Sequence, residues 1–315
     1  MTDITRVKRK RKPLRRMELI VNWQYYILVV PTFIFFFMFV YMSMPGILLA
    51  FKQYEVGGVW TSPWVGMANF KAYFEGPYFL RTTMNTLVIN LLNLVIGSAT
   101  TIGAALLLNE VFNLRAKKAF QSILYLPTFF SVMLVARFVQ LLFNDDYGLF
   151  NQLLGLMGME AVPWNHSPQY WKAILIFVYI WKGTGNGLIV YLASIVGQDE
   201  EIYEAARIDG AGRWRQTLWI TLPLLMPTIV ILTLMRVGSI FTGDFQMVYA
   251  LVGTNTDLMP ALDIIETYLY RSVMTSANNY GEATAVALYQ SVLGFVLLFS
   301  ANWLARRYDK DVALF

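Results

Sequence analysis

Six apolar stretches, each long enough to cross a bilayer, constrain this chain more than any other feature. They run over about Tyr25–Phe51, Met84–Leu108, Phe120–Phe143, Trp171–Val196, Leu222–Phe245 and Thr284–Trp303. About 20 predominantly apolar residues in a helix span the hydrocarbon core. The pattern therefore predicts an all-α, polytopic membrane protein with six transmembrane helices. Composition agrees, with 57% hydrophobic and only 14% charged residues, against roughly 25% charged in soluble domains. Cysteine is absent, which excludes disulfides and thiolate metal sites, and a lone histidine, His166, leaves little scope for histidine-based catalysis.

Charge orients the spans. Eight of the 25 basic residues fall within the first sixteen positions. That density predicts a basic cytoplasmic tail over 1–23, lying beside anionic lipid rather than nucleic acid, ahead of a six-span domain over 24–315. The apolar stretch after the tail is too long for a cleavable signal peptide. With the N-terminus inside, inward segments carry seventeen basic residues and outward loops carry four, Lys52, Lys71, Arg81 and Arg271. This bias follows the positive-inside rule and puts both termini in the cytoplasm. Trp60, Trp64, Tyr73, Tyr78, Trp164 and Tyr170 suit the membrane–water interface. Asp263–Met274 has helical periodicity, with Ile264, Tyr268 and Val273 forming an apolar face expected along the outer surface.

The inward loop over about 197–220 holds the most specific pattern. Glu204-Ala205-Ala206 is followed by Gly210, four positions on, and by Ile220-Thr221-Leu222-Pro223. Alanines favour helix, and Gly210 can take the left-handed conformation that ends one, so the loop reads as two short helices around a turn. This stretch resembles the "EAA" signature of permease subunits of type I ABC importers (the MetI-like permease fold). Pro45–Tyr54, Trp64–Phe70, Leu107-Leu108-Asn109-Glu110, Tyr125-Leu126-Pro127, Asp263–Tyr268 and Ala301–Arg307 are similar to the LplB-like oligosaccharide permeases within that family. The resemblance implies a bacterial inner or plasma membrane protein that passes a solute by alternating access. It also implies a second permease subunit in a heterodimer, two ATP-binding-cassette ATPase subunits and an extracytoplasmic solute-binding protein. In such complexes the loop is a coupling helix seated on the ATPase, assigned here to Glu204, Ala205, Ala206, Asp209 and Gly210.

The chain has no Gly-x-x-x-x-Gly-Lys-Ser/Thr loop to cradle phosphates. Expectation is therefore no enzyme activity and no cofactor in this chain, with ATP and Mg held by the ATPase subunits. Lys182-Gly183-Thr184-Gly185-Asn186-Gly187 is better explained by close helix packing. Glu204 can pair with a base on the ATPase, and Asp209 either does the same or pairs locally with Arg213. Polar residues inside spans are costly and tend to face a cavity or a partner helix. Trp181, Tyr191 and Tyr249 could offer rings to sugar faces, while Lys182, Asn186, Asp244 and Gln246 could bond hydroxyls; helix–helix bonding is the alternative. Lys182, Arg137 and Arg236 raise the idea of an acidic oligosaccharide, against snorkelling or pairing with Asp244. Other readings are an importer of a non-sugar solute, an ion-coupled transporter acting alone, and a membrane enzyme. The last would need a cluster of acids or metal ligands, and none is evident. His166, among turn residues, is expected at the outer surface, where it could meet the binding protein.

Overall fold

The computed structural model describes residues 23–253, 255–275, 279–308 and 314. The expected basic tail falls outside the described residues except for Trp23. Among the described residues five helices are long and apolar enough to cross a membrane, or six if one bent pair is a single span. They are Trp23–Phe51, Phe79–Asn109, Leu114–Phe129 with Val132–Leu142, Pro168–Val196, Arg213–Val237 and Tyr280–Arg307. No named strand occurs among them, and Lys52 and Trp64 form an isolated antiparallel bridge. The chain divides into two units, Met1–Leu48 and Leu49–Phe315. In the first, Pro31 lies inside helix Trp23–Phe36, and a π turn follows at Phe37–Tyr41.

Two spans differ from expectation, and both differences come from backbone-breaking residues inside an apolar run. The third is not one rod over Phe120–Phe143. Pro127 sits in a 3-10 turn, Phe130 is extended, and Ser131 caps a new helix by accepting from the Leu134 N–H at 3.3 Å. The two halves meet at 95°. The fifth ends at Val237 rather than Phe245, after which Gly238–Gly243 leaves the helix and Asp244 caps a separate helix, Phe245–Val252.

Lipid tails are as apolar as leucine, so helices associate here through close packing rather than water exclusion. Ala105, Leu108, Leu188, Leu192 and Leu225 form a buried cluster joining the second, fourth and fifth spans. The glycine-rich run of the fourth span packs closely, as expected. A Cβ on Gly185 would lie 2.7 Å from the Tyr125 Cα, and one on Gly187 would lie 2.8 Å from the Thr101 methyl. A second cluster seats Val135, Trp171, Leu175, Met247, Leu262 and Ile264.

The elements expected to face outward are more buried than their sequence implies. Ile264 is 1% exposed, and Ile265 packs with Tyr73 and Val286. Ile264 and Ile265 are therefore core residues, Tyr268 and Val273 are half-buried, and Tyr73 is a core residue rather than an interfacial one. The organising group is Asp263, whose side chain is fully buried. Its carboxylate accepts from Arg81 Nη2, Arg271 Nη1 and Arg271 Nη2, each at 2.8 Å, and from the Thr267 hydroxyl at 2.8 Å. A buried carboxylate is tolerated only when its charge and lone pairs are matched in this way.

Candidate functional site

The loop over 197–220, expected to face inward, forms as its residues dictate. Asp199 caps helix Glu200–Ile208 by accepting from the Glu201 N–H at 3.0 Å. At the far end Gly210 takes φ +76°. The Gly210 N–H donates to Arg207 O at 3.1 Å and the Ala211 N–H to Ala206 O at 2.9 Å, the bond pair of a Schellman stop. Glu204, Ala205, Asp209 and Gly210 are exposed, Ala206 is half-buried, and Ile208 is 87% exposed at the tip. The underside is tied down. The Tyr203 hydroxyl bonds Gln198 and Thr221. Arg213 stacks 3.6 Å over the Phe112 ring and lies 3.6 Å from Glu110. The local Asp209–Arg213 pair therefore does not form, because Arg213 is engaged with Glu110. Glu204 lies 3.9 Å from Arg207 with both side chains exposed, an arrangement contributing little.

Several polar groups in or beside the apolar spans serve the two helix breaks, since backbone groups freed there must be satisfied by protein. At the first break Lys182 Nζ donates to Thr128 O at 3.2 Å and Phe130 O at 2.9 Å. At the second, Asn90 donates to Ile240 O and Thr242 O, and Gln290 to Phe241 O. Gln140 donates to Ala250 O and Leu251 O, closing the end of helix Phe245–Val252. Glu266 accepts the Gly243 N–H at 2.7 Å and the Gln290 amide at 2.9 Å, and its Oε2 is buried without a partner. Burial pushes the Glu266 carboxyl above its ordinary value, against the lowering effect of these bonds.

The residues singled out from sequence separate into three places. Trp181 lines an apolar pocket of about 780 Å³ with Phe130, Phe138, Phe143 and Phe177, and its neighbour Lys182 is occupied at the bend. Asp244 accepts the Met247 N–H at 3.0 Å and Gln246 is exposed beside it. Tyr249 joins Phe245 and Tyr270 in a ring cluster, with centroids 5.1 and 4.9 Å away. Asn186 and Tyr191 come together with Arg236. They line a cavity of about 200 Å³ between the second, fourth and fifth spans, with Ser98 and Thr101. A smaller space of about 60 Å³, lined by Asn93, Gly97, Tyr179 and Thr184, shares Thr101 and Arg236 with it.

Arg236 is exposed there, with a long 3.5 Å contact to the Ser98 hydroxyl and no ion pair among the described residues. It does not pair with Asp244. Sequence reasoning missed the Asp263 clasp, the Glu110–Arg213 contact and the Gln290–Glu266 pair; the Leu-Leu-Asn-Glu and Asp-Ile-Ile-Glu runs were their only signals. His166 is paired with Asp257, both partly exposed. No group of three or more acidic or histidine residues that could hold a metal occurs among the described residues.

Residues 97–310 match the family described as binding-protein-dependent transport system inner membrane component. Protein LplB of Bacillus subtilis (strain 168) is 37% identical over 287 residues, covering 91% of this chain and 89% of the relative. The polygalacturonan/rhamnogalacturonan transport system permease protein YteP of the same organism is 35% identical over 306 residues, covering 96% and 94%. Among solved structures, a subunit of a bacterial ABC transporter involved in import of the acidic polysaccharide alginate superposes with TM-score 0.85 at 34% identity. That match covers 93% of this chain and 98% of the other. The alginate transporter is also known in complex with an alginate pentasaccharide-bound periplasmic protein, with TM-score 0.84.

Proposed function

The chain belongs to the inner membrane components of binding-protein-dependent transport systems, and from that premise we propose that it is one permease subunit of an ATP-driven importer for an acidic oligosaccharide. A second permease of similar build completes the path. Two ATPase subunits, holding ATP and Mg, meet the inward loop through Glu204, Ala205, Ala206, Asp209 and Gly210. An extracytoplasmic binding protein delivers the solute, and both termini lie in the cytoplasm, with 1–23 as a basic tail before the six-span domain. The mechanism is alternating access. ATP binding closes the ATPase pair, the loop moves with it, and the spans pass from inward-open to outward-open.

The observation supporting an acidic substrate is Arg236. A guanidinium inside a span is expensive and usually paired, yet this one faces a largely apolar cavity that offers it hydroxyl and amide neighbours and no carboxylate. A carboxylate on the solute completes the pair, and Asn186, Ser98 and Thr101 supply groups for sugar hydroxyls. The names of the relatives, which concern polygalacturonan, rhamnogalacturonan and alginate, point the same way. Lys182 is excluded from this role because its amine is occupied at the bend.

Uptake into proteoliposomes of uronate and neutral oligosaccharides of equal length tests the reading. A hydrogen bond to a charged group contributes about 1.5–3 kcal/mol. Arg236→Gln should therefore lower uronate uptake by about tenfold to a hundredfold and leave neutral uptake unchanged. Lys182→Gln should lower both alike, through stability. Equal losses for the two substrates in Arg236→Gln would refute an acidic cargo.

A further inference from the structure

Glu110 follows the last residue of the second span, helix Phe79–Asn109, and belongs to none of the groups discussed so far as candidates for coupling or substrate. Its carboxylate reaches across to the far half of the inward loop. Oε1 accepts the hydroxyl of Thr217 at 2.9 Å, and Oε2 lies 3.6 Å from Arg213 Nη1. Thr217 is 4% exposed and opens the π turn Thr217–Thr221 at the foot of the fifth span. Arg213 is held from the other side by the face of Phe112, two residues beyond Glu110. This clamp forms one wall of a polar cytoplasmic groove of about 550 Å³, whose other walls include Asn109, Gln198, Tyr203, Arg207 and Gln216.

The connectivity gives the clamp a consequence. The cavity around Arg236 is walled by the second, fourth and fifth spans. The inward loop is covalently continuous with the fourth span through Val196–Asp199 and with the fifth through Arg213–Thr221. The second span has no such continuity. It meets the fourth through small and aliphatic contacts such as Ala105 and Leu108 against Leu188 and Leu192, which can slide. Glu110 is its polar, charge-assisted tie to the loop, and such ties are directional and stronger than neutral ones.

We propose that Glu110 is the positioning residue that carries motion of the inward loop into the second span, so that all three walls of the Arg236 cavity move together. The role rests on the inward loop being the ATPase seat, and the experiment keeps the two claims separable. The assembled complex, with partner permease, ATPases and binding protein, is reconstituted in proteoliposomes and measured for uptake per ATP hydrolysed. Glu110→Ala retains ATPase copurification and basal hydrolysis, while uptake per ATP falls about tenfold, within the usual range of coupling between sites. Glu110→Gln keeps an acceptor for the Thr217 hydroxyl but loses the ion pair, and falls between. Unchanged uptake per ATP in Glu110→Ala overturns the proposal. A loss of uptake matched by an equal loss of assembled complex, with the ratio unchanged, also overturns it. If Glu110→Ala does not assemble, Thr217→Val, which replaces the hydroxyl with a methyl group, carries the same test. Gly210→Pro is the control. Uncoupling there with normal Glu110→Ala rejects the clamp alone, whereas normal coupling in both rejects the loop as the ATPase seat.

Discussion

Replacing Gly210 tests the inward loop at the one position where backbone conformation alone sets the cost. Its φ is +76°, and a Cβ built there meets nothing within 4 Å. Alanine therefore carries only the left-handed penalty, about 1–2 kcal/mol, and asparagine less. Proline cannot reach positive φ and has no N–H, so the bond to Arg207 O is lost and the adjoining Ala211–Ala206 bond loses its geometry. That costs about 3 kcal/mol or more, roughly a hundredfold in the population of the native turn.

The assay is binding-protein-stimulated ATP hydrolysis in proteoliposomes, with ATPase copurification and membrane insertion as controls. Asparagine should resemble the wild type, alanine should lose a few-fold, and proline should abolish stimulation with insertion intact. Stimulation by Gly210→Pro at the wild-type level would refute the turn as the transmitting element. Alanine as damaging as proline would refute the conformational reasoning and indicate a steric contact with the ATPase instead.

Two further outcomes follow from buried carboxylates. Asp263→Asn leaves Arg81 and Arg271 facing a neutral amide and should cost about 3 kcal/mol or more; an unchanged melting temperature of the detergent-solubilised complex would contradict the clasp. Glu266 has its folded-state pKa raised from the ordinary 4.5 by burial. Its contribution to stability is therefore fully present below that ordinary value and lost as pH rises through the raised one. Melting curves between about pH 4 and pH 8 should show this fall in the wild type and a flatter profile in Glu266→Gln; parallel profiles would show that Glu266 does not govern it.

Much of the architecture is legible because apolar run length acts locally. The spans starting near Tyr25, Met84, Trp171 and Thr284 are found within a few residues of where hydropathy puts them. The inward loop is equally legible, since Asp199, Ala205, Ala206 and Gly210 state their cap, helix and stop without help from distant residues. The third and fifth spans are not legible in this way. Pro127 and the Gly238, Gly243 and Asp244 cluster mark weak points in the two runs, but a break there is stable only when remote side chains satisfy the freed carbonyls.

Sequence alone thus determined that the chain crosses the membrane in helices, and that the loop over 197–220 carries a helix–turn–helix with a glycine stop. Tertiary structure decided which polar residues are available to a solute. Lys182, Asn90 and Gln140 look equivalent to Arg236 among the polar residues of the apolar spans. Only the folded arrangement shows that the first three are bonded to backbone carbonyls 52 or more positions away, while Arg236 lines a cavity. The reason is that hydrogen-bond satisfaction in lipid is a pairwise, long-range condition, whereas span length and charge bias are properties of single segments.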